Sequence, residues 1–180
     1  MKKYLLLILC TLFISVSLSA QSSNSQHIKF MGIPINGSIT NFQNKLIAKG
    51  FKYDQSGSKA LETPTRIYKG LFAGETAQLF VYYDRDQKFV YRVKVVIECA
   101  TEERASFKMG VFRNQLIEKY NTYAEEGVLE GHETYSIPIE NGCIDLFYSK
   151  VPLSTIYGLC LDYWDNANYE KHEKNNMNDL

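Results

Sequence analysis

The side chains of this 180-residue sequence that could do chemistry are three histidines, four cysteines and a few clustered carboxylates. His27, His132 and His172 lie far apart, and none stands in a paired metal-ligand spacing. Gly131-His132-Glu133 lacks the second histidine four residues on that a zinc-binding helix needs. A cysteine nucleophile requires a thiol beside a base. Cys143 and His132 are the pair to consider, but Cys143 begins a predicted strand. Asp84-Arg85-Asp86 opens like a calcium loop without its glycine or terminal glutamate, and no glycine-rich phosphate loop follows a strand. Glu125-Glu126 and Glu130 fall in a glycine-bounded loop, where a charge run is solvated rather than held across a cleft. Asp162, Asp165, Asn166 and Asn168 read as a solvated strand end. The expectation is no catalytic residue, no metal site and no cofactor.

The elements that would position these groups begin with an address. Lys2 and Lys3 precede an almost wholly apolar run from Tyr4 to Val16, and Ser17-Leu18-Ser19-Ala20 ends in a small residue before Gln21. That order predicts a signal peptide over 1–20 and a periplasmic or secreted chain. The run is shorter than the roughly 20 residues of a spanning helix, so no stable membrane insertion is expected after cleavage. Leu9 before Cys10 argues against a lipid anchor. Loss of Lys2 and Lys3 leaves the charge balance slightly acidic, which gives no electrostatic case for nucleic acid or an anionic membrane surface. Cys99, Cys143 and Cys160 remain. Cys143 and Cys160 fall on neighbouring predicted strands and are the candidate disulfide. The alternative is that all three are small core residues.

Ser38 caps a predicted helix carrying Ile39, Phe42 and Leu46 on one face, with Gly50 at its end. Thr101 caps a second, with Glu102 and Glu103 in its first turn and Met109, Phe112, Leu116 and Tyr120 as its stripe. Strands are predicted at 66–72, 76–83, 89–98, 133–139, 143–149 and 155–163. In the third, Phe89, Tyr91, Val93, Val95 and Ile97 share one face, and Arg92, Lys94 and Glu98 the other. Residues 166–180 read as a polar tail with at most one helical turn.

The elements recur in the same order. A shift of 70 aligns Phe42, Asn44, Leu46, Ile47, Lys49 and Tyr53 with identical residues at 112, 114, 116, 117, 119 and 123. A shift of 67 aligns Tyr68, Leu79 and Phe80 with Tyr135, Leu146 and Phe147. The expected fold is α+β: two tandem helix-plus-antiparallel-strand repeats, about 38–98 and 106–164, in one domain over 21–165. The repeats share a sheet with the helices on one face. By alternation the other face carries Phe80, Tyr82, Arg92, Lys94 and Phe147, with Gln78 and Asp145. Those five residues are the candidate binding surface.

Lys29-Phe30-Met31-Gly32-Ile33-Pro34-Ile35-Asn36-Gly37-Ser38, with Phe42, Leu46 and Lys49-Gly50-Phe51, resembles the start of small exported Bacteroidetes proteins of unknown function. The tandem arrangement is similar to beta-lactamase-inhibitory-protein-like folds. That likeness implies binding of another protein through an open sheet face. Fold likeness alone does not assign function. The leading expectation is an exported, non-enzymatic binding or interaction module, with another envelope or extracellular protein as partner and an undetermined oligomeric state. Two alternatives stay open. One is a small hydrolase or ligand carrier with Glu98, Asp145 and His132 between the repeats. The other is a structural accessory of an envelope assembly.

Overall fold

The computed structural model describes residues 27–129 and 131–178; the signal-peptide segment 1–20 lies outside them. The chain opens with a hairpin, β1 (Lys29–Phe30) and β2 (Ile33–Pro34), turning through Met31 and Gly32. Both turn residues have positive φ, the geometry that a two-residue hairpin favours. Next come α1 (Ile39–Ala48), β3 (Lys52–Asp54), the short α2 (Gln55–Lys59), β4 (Thr65–Phe72), β5 (Glu75–Tyr83) and β6 (Val90–Cys99). The second half runs through α3 (Glu102–Tyr120), β7 (Glu125–Leu129), β8 (His132–Ile139), β9 (Gly142–Lys150), β10 (Tyr157–Asp165) and α4 (Asn166–Asn178).

The two long helices start where the caps predict. Ser38 Oγ accepts the Asn41 N–H at 3.3 Å, and Thr101 Oγ1 accepts that of Arg104 at 3.3 Å. α3 stops at Asn121, whose left-handed backbone (φ 49°) suits an asparagine cap.

β3 to β10 form one eight-stranded antiparallel sheet in the order β3-β4-β5-β6-β10-β9-β8-β7. Two four-stranded meanders therefore meet at the β6–β10 seam, with Leu161 opposite Val95 and Asp162 opposite Lys94. One face is the core. Tyr68, Leu79, Val95, Leu161, Leu146 and Tyr135 follow one another across six strands, and all are buried. Ile39, Phe42 and Leu46 of α1 cover it beside Ala105, Met109, Phe112 and Leu116 of α3. Phe30 of the hairpin, fully buried, fills the space between the halves. Its ring lies 5.3 Å from Tyr163 and 5.6 Å from Phe72, and Phe72 reaches Phe112 of α3 at 6.0 Å.

Several expectations are corrected. Glu125 and Glu126 belong to the edge strand β7, not to a loop. Tyr91 leaves the apolar face: Tyr83 pairs with Val90 and Tyr82 with Arg92, so Tyr91 is the extra residue of a β-bulge. The one-face rule holds for α1 and α3. The segment expected as a loose tail is α4, which crosses the end of the opposite face. It is polar all round and so carries no apolar period. Polar bonds hold it instead. The buried Asp165 carboxylate accepts the Asn168 N–H at 3.0 Å and the Ile28 N–H at 3.1 Å, with His27 Nδ1 at 3.0 Å. Asn168 Nδ2 donates to the carbonyls of Ile35 and Val90. His172 stacks on Tyr91 at 4.1 Å. Among the described residues no helix is long and apolar enough to cross a membrane.

Asp84 is the second anchor of α4. Its carboxylate accepts the N–H groups of Asp86 and Gln87 at 3.0 and 2.7 Å and Asn175 Nδ2 at 3.0 Å, with His172 Nδ1 at 3.1 Å. Burial raises its pKa, but the bonds from Gln87, Asn175, His172 and Asp86 outweigh it and bring the value down to about 2. A folded pKa below the unfolded one contributes stability that is fully present above the unfolded value, 3.8, and is lost as pH falls through about 2. Asp84→Asn is therefore less stable than the parent above pH 4, and the gap narrows between pH 4 and 2. Urea unfolding at stepped pH measures it; a gap constant with pH would contradict the assignment.

Candidate functional site

The face opposite α1 and α3 is built in cross-strand rows. One row runs Tyr82, Arg92, Trp164, Cys143; the next runs Phe80, Lys94, Asp162, Asp145, Ser136. Cys160 and Phe147 are direct partners in the row after that. The register thus brings together all five residues expected on the binding surface: Phe80, Tyr82, Arg92, Lys94 and Phe147. Each is half-buried.

Arg92 is the best-held cation. Its guanidinium lies between two rings, 3.9 Å from Trp164 and 4.5 Å from Tyr82. Its Nε donates to Asp162 Oδ1 at 2.8 Å, and Nη2 donates to the other oxygen. Lys94 Nζ stands 3.6 Å from Asp162 and 5.4 Å from the Phe147 ring. Asp162 is 2% exposed and serves both cations. Burial by itself lowers the pKa of Arg92, yet the Asp162 contacts raise it overall, so Arg92 stays charged.

Asp145 differs from Asp162. Burial pushes its carboxyl pKa up and the negative charge of Asp162 adds to that, against a 2.7 Å hydrogen bond from Ser136 Oγ. The Trp164 indole opposes the rise, but its Nε1–H is buried and completes no hydrogen bond. The geometry leaves this N–H without an acceptor, and its effect on Asp145 is small beside burial.

Cys99, Cys143 and Cys160 are all free. The Cys143–Cys160 disulfide is excluded by register. Cys143 pairs with Trp164, four residues beyond Cys160 on β10. At about 3.3 Å per residue that is roughly twice the Cα separation a disulfide tolerates. Burial pushes the Cys143 and Cys160 thiols up to about 11, with Asp145 and Asp162 adding to the rise at Cys143.

The polar groups considered for hydrolysis do not converge. Asp145 bonds Ser136 on the open face, whereas Glu98 is exposed. His132 meets Glu102 of α3 at 3.2 Å and packs on Tyr148, a residue of the covered face. Cys143 and His132 are likewise kept apart. Asp162 and Asp165 also separate, one taken up by Arg92 and Lys94, the other by α4. Among the described residues no group of three or more histidine, cysteine or acidic side chains could hold a metal ion. Sequence reasoning missed Trp164. Its signal was present, since Trp164 and Asp162 share one face of β10 by alternation. Comparison with protein-family models, curated proteins and solved structures finds no match in any of the three.

Two outcomes follow from these contacts. Asp162→Ala leaves two half-buried cations without their carboxylate and lowers stability by roughly 3 kcal/mol in urea unfolding; a loss below about 1 kcal/mol would mean solvent already balances Arg92. At pH 8 the native Cys143 and Cys160 thiols react with a disulfide reagent about two orders of magnitude more slowly than in urea, read from the rate of thiolate release. Equal rates would show that burial does not protect them.

Proposed function

We propose that this chain is an exported, non-enzymatic binding module that works in the periplasm or outside the cell and engages another envelope or extracellular protein. The observation that carries the reading is the row arrangement of Phe80, Tyr82, Arg92, Lys94, Phe147 and Trp164 on the sheet face that α1 and α3 leave open. Tryptophan, tyrosine and arginine are the residue types that dominate binding energy at protein interfaces, and here Arg92 is held between the Tyr82 and Trp164 rings and bonded to Asp162. A rigid surface of this kind loses little side-chain entropy when a partner covers it. Asp162 compensates part of the positive charge. The surface therefore favours a partner that offers apolar or aromatic side chains and a carboxylate for Lys94, the less tightly held cation.

The reading includes duplication of a helix-plus-four-strand unit. Matched registers support it: Tyr68 pairs with Leu79 as Tyr135 pairs with Leu146, and Leu79 pairs with Val95 as Leu146 pairs with Leu161. The first of these pairs follows the shift of 67 residues that aligns the two halves in sequence, and Val95 and Leu161 lie 66 residues apart. The signal-peptide pattern of residues 1–20 and the likeness to small exported Bacteroidetes proteins support the compartment. The likeness to beta-lactamase-inhibitory-protein-like folds supports use of the sheet face.

The test begins with capture of partners from envelope fractions and purification of the one recovered. In direct titration, Phe80→Ala with Phe147→Ala weakens that partner at least tenfold, while Phe107→Ala on the outer side of α3, where the ring is 73% exposed, leaves it unchanged. Full binding by the double variant would place the contact elsewhere.

A further inference from the structure

Arg66 breaks the alternation of its strand. It pairs with Val81 and precedes Tyr68 by two residues, and Tyr68 pairs with Leu79. Val81, Tyr68 and Leu79 are all buried on the helix-covered face. That position suits an apolar side chain, yet it carries a half-buried guanidinium. Arg66 Nη1 donates to Gln43 Oε1 of α1 at 2.7 Å, and the same oxygen accepts the Tyr68 hydroxyl at 3.1 Å. The rings of Tyr53 and Tyr83 flank the guanidinium at 5.8 and 5.9 Å.

Arg92 and Lys94 share Asp162, and Lys108 meets Glu75. No carboxylate among the described residues forms an ion pair with Arg66. A cation drawn partly out of water without an anion is unfavourable. The surroundings add to the imbalance. Arg66 opens into a groove of about 380 Å³ whose walls also carry Lys59, Arg85 and Lys88, against Glu62 alone.

The other half of the sheet shows what is missing. On β8 the residue two before Tyr135 is Glu133, which accepts the Tyr135 hydroxyl at 3.0 Å. Arg113 of α3 lies over the Tyr135 ring at 4.7 Å. There both signs of charge come from the chain. Around Tyr68 the strand supplies the cation and the helix supplies only the neutral Gln43.

We propose that the Arg66 groove binds an oxyanion carried on a flat ring, with the oxyanion on Arg66 and the ring against Tyr53 or Tyr83. A guanidinium presents paired N–H donors that match the two oxygens of such a group. Gln43 fixes the fork in advance, so little freedom is lost on binding. Lys59, Arg85 and Lys88 draw the anion in, and the tyrosines offer aromatic faces.

Phenyl phosphate and inorganic phosphate, titrated separately into the intact protein and followed by amide NMR shifts, test this. Phenyl phosphate shifts amides at 65–68 and 83–88 saturably below about 10 mM and binds at least threefold tighter than inorganic phosphate. Arg66→Gln weakens it at least tenfold, and Lys94→Gln on the open face does not change it. Shifts that never saturate, shifts centred elsewhere, or an Arg66→Gln variant that binds like the parent would overturn the site. Equal affinity for the two anions would overturn the part played by the rings. The shift map of the parent protein decides the location even if Arg66→Gln does not fold. Because Lys94→Gln lies outside the groove, the outcome is separate from the fate of the open-face proposal.

Discussion

Asp162 stands on β10 where the two halves of the sheet meet, and it lets Arg92 and Lys94 lie side by side on a face otherwise made largely of rings. Both cations are on β6, so the carboxylate joins the last strand of the first half to the last strand of the second. A buried ion pair seldom adds net stability, because desolvation consumes what attraction provides. Its value here is registry. Slipping β10 by one residue would turn Asp162 into the apolar core and Leu161 outward, an error that no side-chain adjustment could hide. The seam is therefore specified twice, by the buried Leu161–Val95 pair on one face and by Asp162 with its cations on the other.

The hairpin completes this arrangement from the covered side. Phe30 touches Tyr163 of β10 and Phe72 of β4, and Phe72 meets Phe112 of α3. One ring, from a segment belonging to neither meander, thus spans both. The resulting surfaces differ in kind. The helix side is closed by packing of α1 and α3 on the core. The open side is closed only by side chains leaning on one another, with α4 across its end. The groove beside Arg66 lies where the covered side gives out, between α2 with the loop that follows it and the turn after β5.

Much of this was legible in the sequence because alternation and spacing report burial directly. Phe80, Tyr82, Arg92, Lys94 and Phe147 share a face because residues two apart on a strand must do so, and the caps at Ser38 and Thr101 set the helix starts by their hydroxyls. What escaped had no period to read. β7 is exposed on both faces, β3 is three residues long, and α4 has polar residues all round and is held by Asp165 and Asp84 from far away in sequence. Tyr91 was misplaced because one bulge residue reverses the parity of everything before it. The cysteine pairing failed for a related reason: neighbouring strands are visible in sequence, but the register that sets Cys143 four places from Cys160 is not. The surroundings of Arg66 escaped too, since its neighbours Gln43, Tyr53 and Tyr83 come from three separate elements.

β10 is the last strand in the chain, yet it occupies the middle of the sheet. During synthesis from the amino end, or passage through a narrow channel in that order, the first meander emerges with β6 as an unpaired edge. The second emerges with β9 in the same condition. Neither can find its permanent neighbour until Tyr157–Asp165 arrives. An open edge is a template for pairing with other chains, and closing long loops is slow compared with forming local hairpins. The interval before the final strand arrives is thus when this molecule is most exposed to aggregation, and a chain cut short near its carboxyl end would hold two sticky half-sheets in place of one closed fold.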